Sequence, residues 1–333
     1  MTALRRPRLG ALRDIGTGIA AVGVKELRGR MRGKRAFVML TIYLLIVAGF
    51  AWMVESFAEM TFASGMVSGA SAAAEIGRQM FTGLLMLLTL VVLVLAPAST
   101  AGAISLEREK QTLDLLTTTP ISSLAIVLGK LLSALSWVFL LLLASIPVSA
   151  LVFAFGGVGP DDMVKGYVVL FGTAIGYGAL GLFVSALLKR TQAATVINLV
   201  LVIVLTVGTT FIFIFWTVFS GSSGFMPDGG VANRPPEALL WLNPFVAEVD
   251  VVCGTDTGFG ASCQIVAAVT GNQQAINQGG QAFGVGRDTY WPRALAATAA
   301  LAVLLIILSV QLVSPTRRWH IRRPRRRTAG STP

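Results

Sequence analysis

Five ionisable side chains, Glu107, Arg108, Glu109, Lys110 and Asp114, are interleaved with Leu106, Thr112, Leu113, Leu115 and Leu116 in one short stretch. Charges alternating in sign over four consecutive positions suit recognition better than catalysis. They fix the register of a helix against a partner, and Leu113 and Leu116 fill a groove. The plainer reading is an ordinary connection whose charges stay in water. Other candidates for chemistry fail on composition. The single histidine, His320, cannot supply the two imidazoles of an HExxH zinc site. Gly221-Ser222-Ser223-Gly224 matches a GxSG nucleophile pattern, but no histidine lies near it in an apolar run to act as base. Gly129-Lys130 and Gly33-Lys34 resemble the end of a phosphate loop, yet Leu124 and Arg28 stand where the upstream glycine belongs and no Ser or Thr follows. The sequence therefore predicts a chain that is not an enzyme and holds no cofactor or metal.

The elements that carry the 107–116 stretch follow from hydropathy. Of 333 residues 54% are hydrophobic and 13% charged, and the mean hydropathy is +0.74, which leaves too little polar surface to cover a soluble globule. A hydrocarbon core about 30 Å thick takes roughly 20 apolar residues as helix. Runs of about that length without Asp, Glu, Lys or Arg fall at 36–54, 81–104, 131–155, 166–188, 193–219 and 294–313. The third can start near Ile121 if Lys130 snorkels to the interface. The expectation is an all-α polytopic membrane protein with six spans, framed by a basic segment at 1–35 and a basic tail at 314–333.

Charge sets the orientation. Of the 27 Lys and Arg, 22 fall in the two tails and the second-to-third and fourth-to-fifth connections, whereas 11 of the 16 acidic residues fall on the other side. Basic enrichment marks the cytoplasmic side, so both termini are expected there, in the plasma or inner membrane. The +11 net charge is then a topology signal with anionic lipid as its partner, and no nucleic acid is implied. Leu12, Ile15, Ile19 and Val22 recur at helical spacing away from Arg13, Lys25 and Arg28, which suits an amphipathic helix on the membrane surface; a disordered basic tail is the alternative.

Two connections are long. Residues 55–80 are rich in Ala, Ser and Gly and read either as helical extensions of the flanking spans or as a flexible link. Residues 220–293 are too long for a plain connection and read as an external subdomain or a re-entrant hairpin. Cys253 and Cys263 lie there, on the side where disulfides persist, and are candidates to pair. The charge-free runs hold no proton-carrying group; Gln192, Asn198, Ser133, Ser136 and Thr206 read as contacts between helices. Gly172, Gly176, Gly178 and Gly181 let the fourth span approach a neighbour closely, within this chain or in a second subunit.

Glu107-Arg108-Glu109, then Thr112-Leu113, Leu115-Leu116, Thr119-Pro120-Ile121-Ser122 and Gly129-Lys130-Leu131-Leu132 together resemble the signature of type-2 ABC exporter permeases. Val24-Lys25-Glu26-Leu27-Arg28 and Leu240-Trp241-Leu242-Asn243-Pro244-Phe245 resemble two further stretches of that family. The resemblance implies a coupling helix formed by Leu106, Glu107, Arg108, Glu109, Lys110, Thr112, Leu113, Asp114, Leu115 and Leu116. That helix would seat on a separate ABC ATPase subunit carrying the ATP and Mg. An amphipathic elbow before the first span and a second permease copy or paralogue are implied as well. Gln111 departs from the family, which often has glycine there; glutamine is expected to leave the coupling helix intact. The same machinery also suits a mechanotransmission or assembly complex that acts on an extracytoplasmic partner without transport. Nothing in the sequence names the substrate.

Overall fold

The computed structural model describes residues 34–63, 70–111, 123–219, 236–253 and 290–313, and every regular element among them is helical. In hydrocarbon the backbone must satisfy its own polar groups, which a helix does within one segment. Six helices are long and apolar enough to cross a membrane, so the protein is a multi-pass membrane protein. They comprise α1 (Lys34–Ala63), α2 (Ala70–Ala101), α4 (Ser123–Ala150), α5 (Pro160–Leu187), the broken span formed by α6 (Thr191–Ile203) and α7 (Thr209–Phe219), and α9 (Tyr290–Val313). Two short helices, α3 (Ser105–Glu109) and α8 (Pro244–Cys253), lie at opposite ends of the bundle.

Each helix outruns the charge-free window expected for it. α5 begins at Pro160 because Asp161 and Asp162 suit a helix N-terminus, and the Asp162 carboxylate accepts the Gly159 N–H at 3.0 Å. Lys165 continues that turn, 3.6 Å from both aspartates. α2 takes in Arg78, and α4 takes in Lys130. Lys130 is 4% exposed, and the start of α4 at Ser123 is close to the earlier start near Ile121. Ionisable residues that flank the charge-free windows are thus buried within the longer helices. In the 55–80 connection α1 runs on to Ala63 and α2 starts at Ala70, so most of it is helical extension.

α5 forms the centre. Its most apolar stretch is 72% buried, against 17% for the first and fifth spans, which places those two on the periphery. The small residues of α5 explain its position. A Cβ on Gly176 would clash with the Thr298 methyl of α9, and one on Gly181 would clash with Thr100 Oγ1 and lie 2.8 Å from the Pro97 carbonyl of α2. Gly172 faces Leu295 of α9, and Gly178 faces Leu135 of α4. The close neighbours of these glycines all belong to this chain. Pro97 interrupts the ladder of α2. There Thr100 Oγ1 bonds the Ala96 carbonyl, and Asn198 Nδ2 of α6 donates to the Pro97 carbonyl at 3.0 Å.

Residues 236–253, the described part of the 220–293 connection, fold back into the bundle. A 3₁₀ turn (Glu237–Leu240) leads to a tip at Leu242 and Asn243, and α8 returns against α2, α5 and α9. Tyr177 donates to the Leu242 carbonyl at 2.7 Å, and Tyr177 lies about 25 Å along α5 from Pro160 at 1.5 Å per residue. The tip therefore reaches well into the bundle, as a re-entrant hairpin does. Asn243 starts α8: its Oδ1 accepts the Phe245 N–H at 3.1 Å, and Pro244 occupies the first helical position. Its Nδ2 donates to the Thr206 carbonyl at 2.9 Å and Thr210 Oγ1 at 2.7 Å. Thr206 lies in the π-helical turn Val204–Gly208 that separates α6 from α7. A π turn disturbs the ladder, and the Asn243 amide occupies the place where it does so.

Candidate functional site

The expected coupling segment begins at the end of α2 and is tied to three spans. α3 follows α2 after a tight turn, with Ala103 N–H donating to the Thr100 carbonyl at 3.0 Å. The Ser185 hydroxyl, near the end of α5, accepts the Ile104 and Ser105 N–H groups, each at 3.0 Å. Those donors belong to the first turn of a helix, where no intrahelical carbonyl is in reach, so Ser185 caps α3 from another span. The Lys130 ammonium of α4 lies 2.6 Å from Glu107 Oε1 and donates to the Ala103 carbonyl at 3.0 Å. Glu109 accepts the Thr191 N–H at 2.8 Å and the Thr191 hydroxyl at 3.0 Å, capping the first residue of α6. Ser105 Oγ adds a 3.3 Å bond to Thr191 Oγ1.

α3 is therefore a hub. Its carboxylates hold Lys130 of the third span and Thr191 of the fifth, its backbone rests on Ser185 of the fourth, and it is covalently continuous with the second. Lys130 is buried and Glu107 is one-quarter exposed, so the pair meets where water screens it weakly. The arrangement ties α3 to all four spans at once.

The expected site residues divide into three groups. Glu107 and Glu109 bond partners in this chain, Glu107 half-buried and Glu109 exposed. Leu106, Lys110 and Gln111 are exposed, and Arg108 is half-buried. Thr112, Leu113, Asp114, Leu115 and Leu116 lie outside the described residues, as do the amphipathic segment at 12–28 and the basic tail at 314–333. The helix does not continue through Gln111. α3 ends at Glu109, and Gln111 has a φ of +54°, the left-handed region; among the described residues no other non-glycine has a positive φ. This corrects the expectation that glutamine leaves the coupling helix intact. The position is the left-handed residue just beyond a helix end, where glycine avoids the Cβ clash, and helix propensity is irrelevant there. Cys253 closes α8 in the disulfide form, while Cys263 lies outside the described residues.

Lys130, Ser185 and Thr191 were absent from the expected set. Lys130 stood in the family-like stretch Gly129-Lys130-Leu131-Leu132 and as a snorkelling residue but not as a partner of Glu107, and a serine and a threonine at span ends carry no distinguishing pattern. Glu248 was missed for another reason. Assigned to an outer loop, it lies on α8 inside the bundle with no exposed surface.

A family model described as ABC-2 family transporter protein matches residues 20–314. Among the curated proteins no relative matches the chain. That match spans every described helix, from the first span through the hub at α3 and the re-entrant hairpin to α9, and the chain belongs to the ABC-2 transporter family as a membrane permease.

Proposed function

We propose that the chain is the non-catalytic permease subunit of an ATP-driven exporter, with ATP and Mg held by a separate ABC ATPase and both termini in the cytoplasm of a plasma-membrane assembly. One observation carries the reading: α3, beside the segment whose charges and leucines resemble a coupling helix, is bonded to the third, fourth and fifth spans and continuous with the second. Closure of the ATPases would press on residues 106–116, and the Lys130, Ser185 and Glu109 contacts would carry the displacement into the bundle, switching access from one side to the other. The family implies an ABC ATPase partner and a dimeric arrangement. The first and fifth spans suit the second permease copy, since both are peripheral and expose Phe37, Leu45, Trp52, Phe211 and Phe215. Lipid covers what the second copy does not.

The test is co-purification. Replacing Leu113 and Leu116 together by Asp places two carboxylates where the partner groove closes over apolar side chains, a cost of at least a few kcal/mol. The variant should insert and fold but lose both ATPase and transport. Retention of a stoichiometric ATPase by the variant, or its absence from the wild type, overturns the coupling role.

A further inference from the structure

We propose that Glu248 is a proton-binding site, occupied in the conformation described here and emptied when water reaches the α8 hairpin. Glu248 lies on α8, which is not one of the six spans. Its side chain has no exposed surface, and neither carboxylate oxygen has a hydrogen-bond partner. An ionised carboxylate in that position would forfeit its hydration with nothing in return.

The surroundings are built around it. Gly166 of α5 lies opposite, where a Cβ would crowd a Leu85 methyl of α2 at 3.0 Å and meet Glu248 Oε2 in ordinary contact at 3.6 Å, so the carboxyl lies against the backbone of α5 and the side chain of Leu85. Next to Gly166, Tyr167 is within electrostatic range of Glu248 and bonds Ser145 Oγ at 2.9 Å and Ser149 Oγ at 3.0 Å on α4. The Tyr43 hydroxyl of α1 is buried near Ser145 and Tyr167 without a bond of good geometry. The neighbour shown within range of the acid is thus an uncharged hydroxyl, itself engaged with two serines.

The other titratable groups on the helices that pack against α8 are engaged elsewhere. Asp162 and Lys165 of α5 pair with each other, Tyr290 of α9 donates to the Leu240 carbonyl, and Arg293 of α9 faces Glu237. Asp250, on α8 itself, accepts the Trp291 N–H at 2.9 Å. Arg78 of α2 has an interaction of its own. Among the described residues no ion pair or hydrogen bond reaches the Glu248 carboxyl, and burial pushes it well above the usual range. A metal is a poor occupant, since no group of three or more His, Cys, Asp or Glu side chains able to hold one is present among the described residues. A proton requires no additional ligands and no space.

The linkage follows in sign. The folded protein binds a proton that the unfolded chain releases above the ordinary carboxyl range. The stabilisation is therefore complete at acid pH and is lost as pH rises through the folded-state pKa. Any conformation that hydrates Glu248 is favoured by the same rise, whether or not the chain exports.

The experiment uses the purified full-length chain in lipid nanodiscs. Infrared spectroscopy at neutral pH should show a protonated carboxyl band that is absent from Glu248→Gln. The melting temperature of the wild type should fall relative to that of Glu248→Gln as pH is raised from about 5 to about 9, because the amide cannot titrate. If Glu248→Gln does not fold, Glu248→Met serves as the band reference, and a pH titration of the wild-type band alone decides. Absence of the band from the wild type, or melting curves that run parallel at every pH, overturns the proposal. Loss of the band on adding sodium, potassium or calcium at fixed pH identifies a cation site and overturns it equally.

Discussion

Glu109 holds Thr191 with both carboxylate oxygens, one on the main-chain N–H at 2.8 Å and one on the hydroxyl at 3.0 Å, so the last residue of α3 caps the first residue of the fifth span. Glu109→Ala removes a cap of a kind worth about 1 kcal/mol in helix stability. The larger expected effect is on coupling, since the fifth span keeps only the longer Ser105–Thr191 bond of its side-chain ties to α3. In the reconstituted complex, substrate-stimulated ATPase activity and transport should fall several-fold while the melting temperature shifts by a few degrees. Unchanged stimulation would separate the fifth span from the force path.

The Glu107–Lys130 pair makes an asymmetric prediction. Glu107→Gln takes the carboxylate from a buried ammonium and should cost roughly 2–4 kcal/mol, less than for a fully buried pair because Glu107 is one-quarter exposed. The double change Glu107→Gln with Lys130→Met should recover most of that loss, which thermal denaturation of the two variants against the wild type measures.

Gln111→Gly should stabilise the turn after α3 by up to about 1 kcal/mol, since glycine adopts positive φ without a steric cost. Gln111→Val should do the opposite, because a β-branched residue tolerates that region least. Melting temperatures of both variants against the wild type decide the sign.

Gly181→Ala and Gly49→Ala form a matched pair. The added methyl at position 181 meets Thr100, the Pro97 carbonyl and Asn198, and overpacking of that kind costs about 1–3 kcal/mol. At position 49 nothing lies within 4 Å, so the change should fall within about 0.5 kcal/mol of neutral. Equal effects at the two positions would contradict the packing of α5 against α2.

Topology is checked by labelling. In a background lacking Cys253 and Cys263, single cysteines at Ser71 and Gly230 should react with an impermeant maleimide in intact cells, and one at Ser331 should not. Labelling at Ser331 from outside would overturn the cytoplasmic placement of the termini.

The number, order and approximate position of the spans were legible in the sequence because hydrocarbon imposes a length and a composition on any helix that crosses it. The segment at 106–116 stood out in the sequence because charges are conspicuous among apolar runs. What one segment meets in another has no local trace. The charge-free windows stopped at Lys130, Lys165 and Arg293, treating each as a break, whereas packing supplied Glu107 for the first and a neighbour in the same helix, Asp162, served the second. Gly176 and Gly181 announced close approach but not to which helix, since a missing side chain says nothing of what fills the space. Gln111 was misjudged because helix propensity applies inside a helix, and the end of α3 is set by the tertiary contacts of Glu107 and Glu109. Glu248 was the least legible. A loop sequence does not record how deep it returns, and only the packing of α8 between α2, α5 and α9 took that carboxyl out of water.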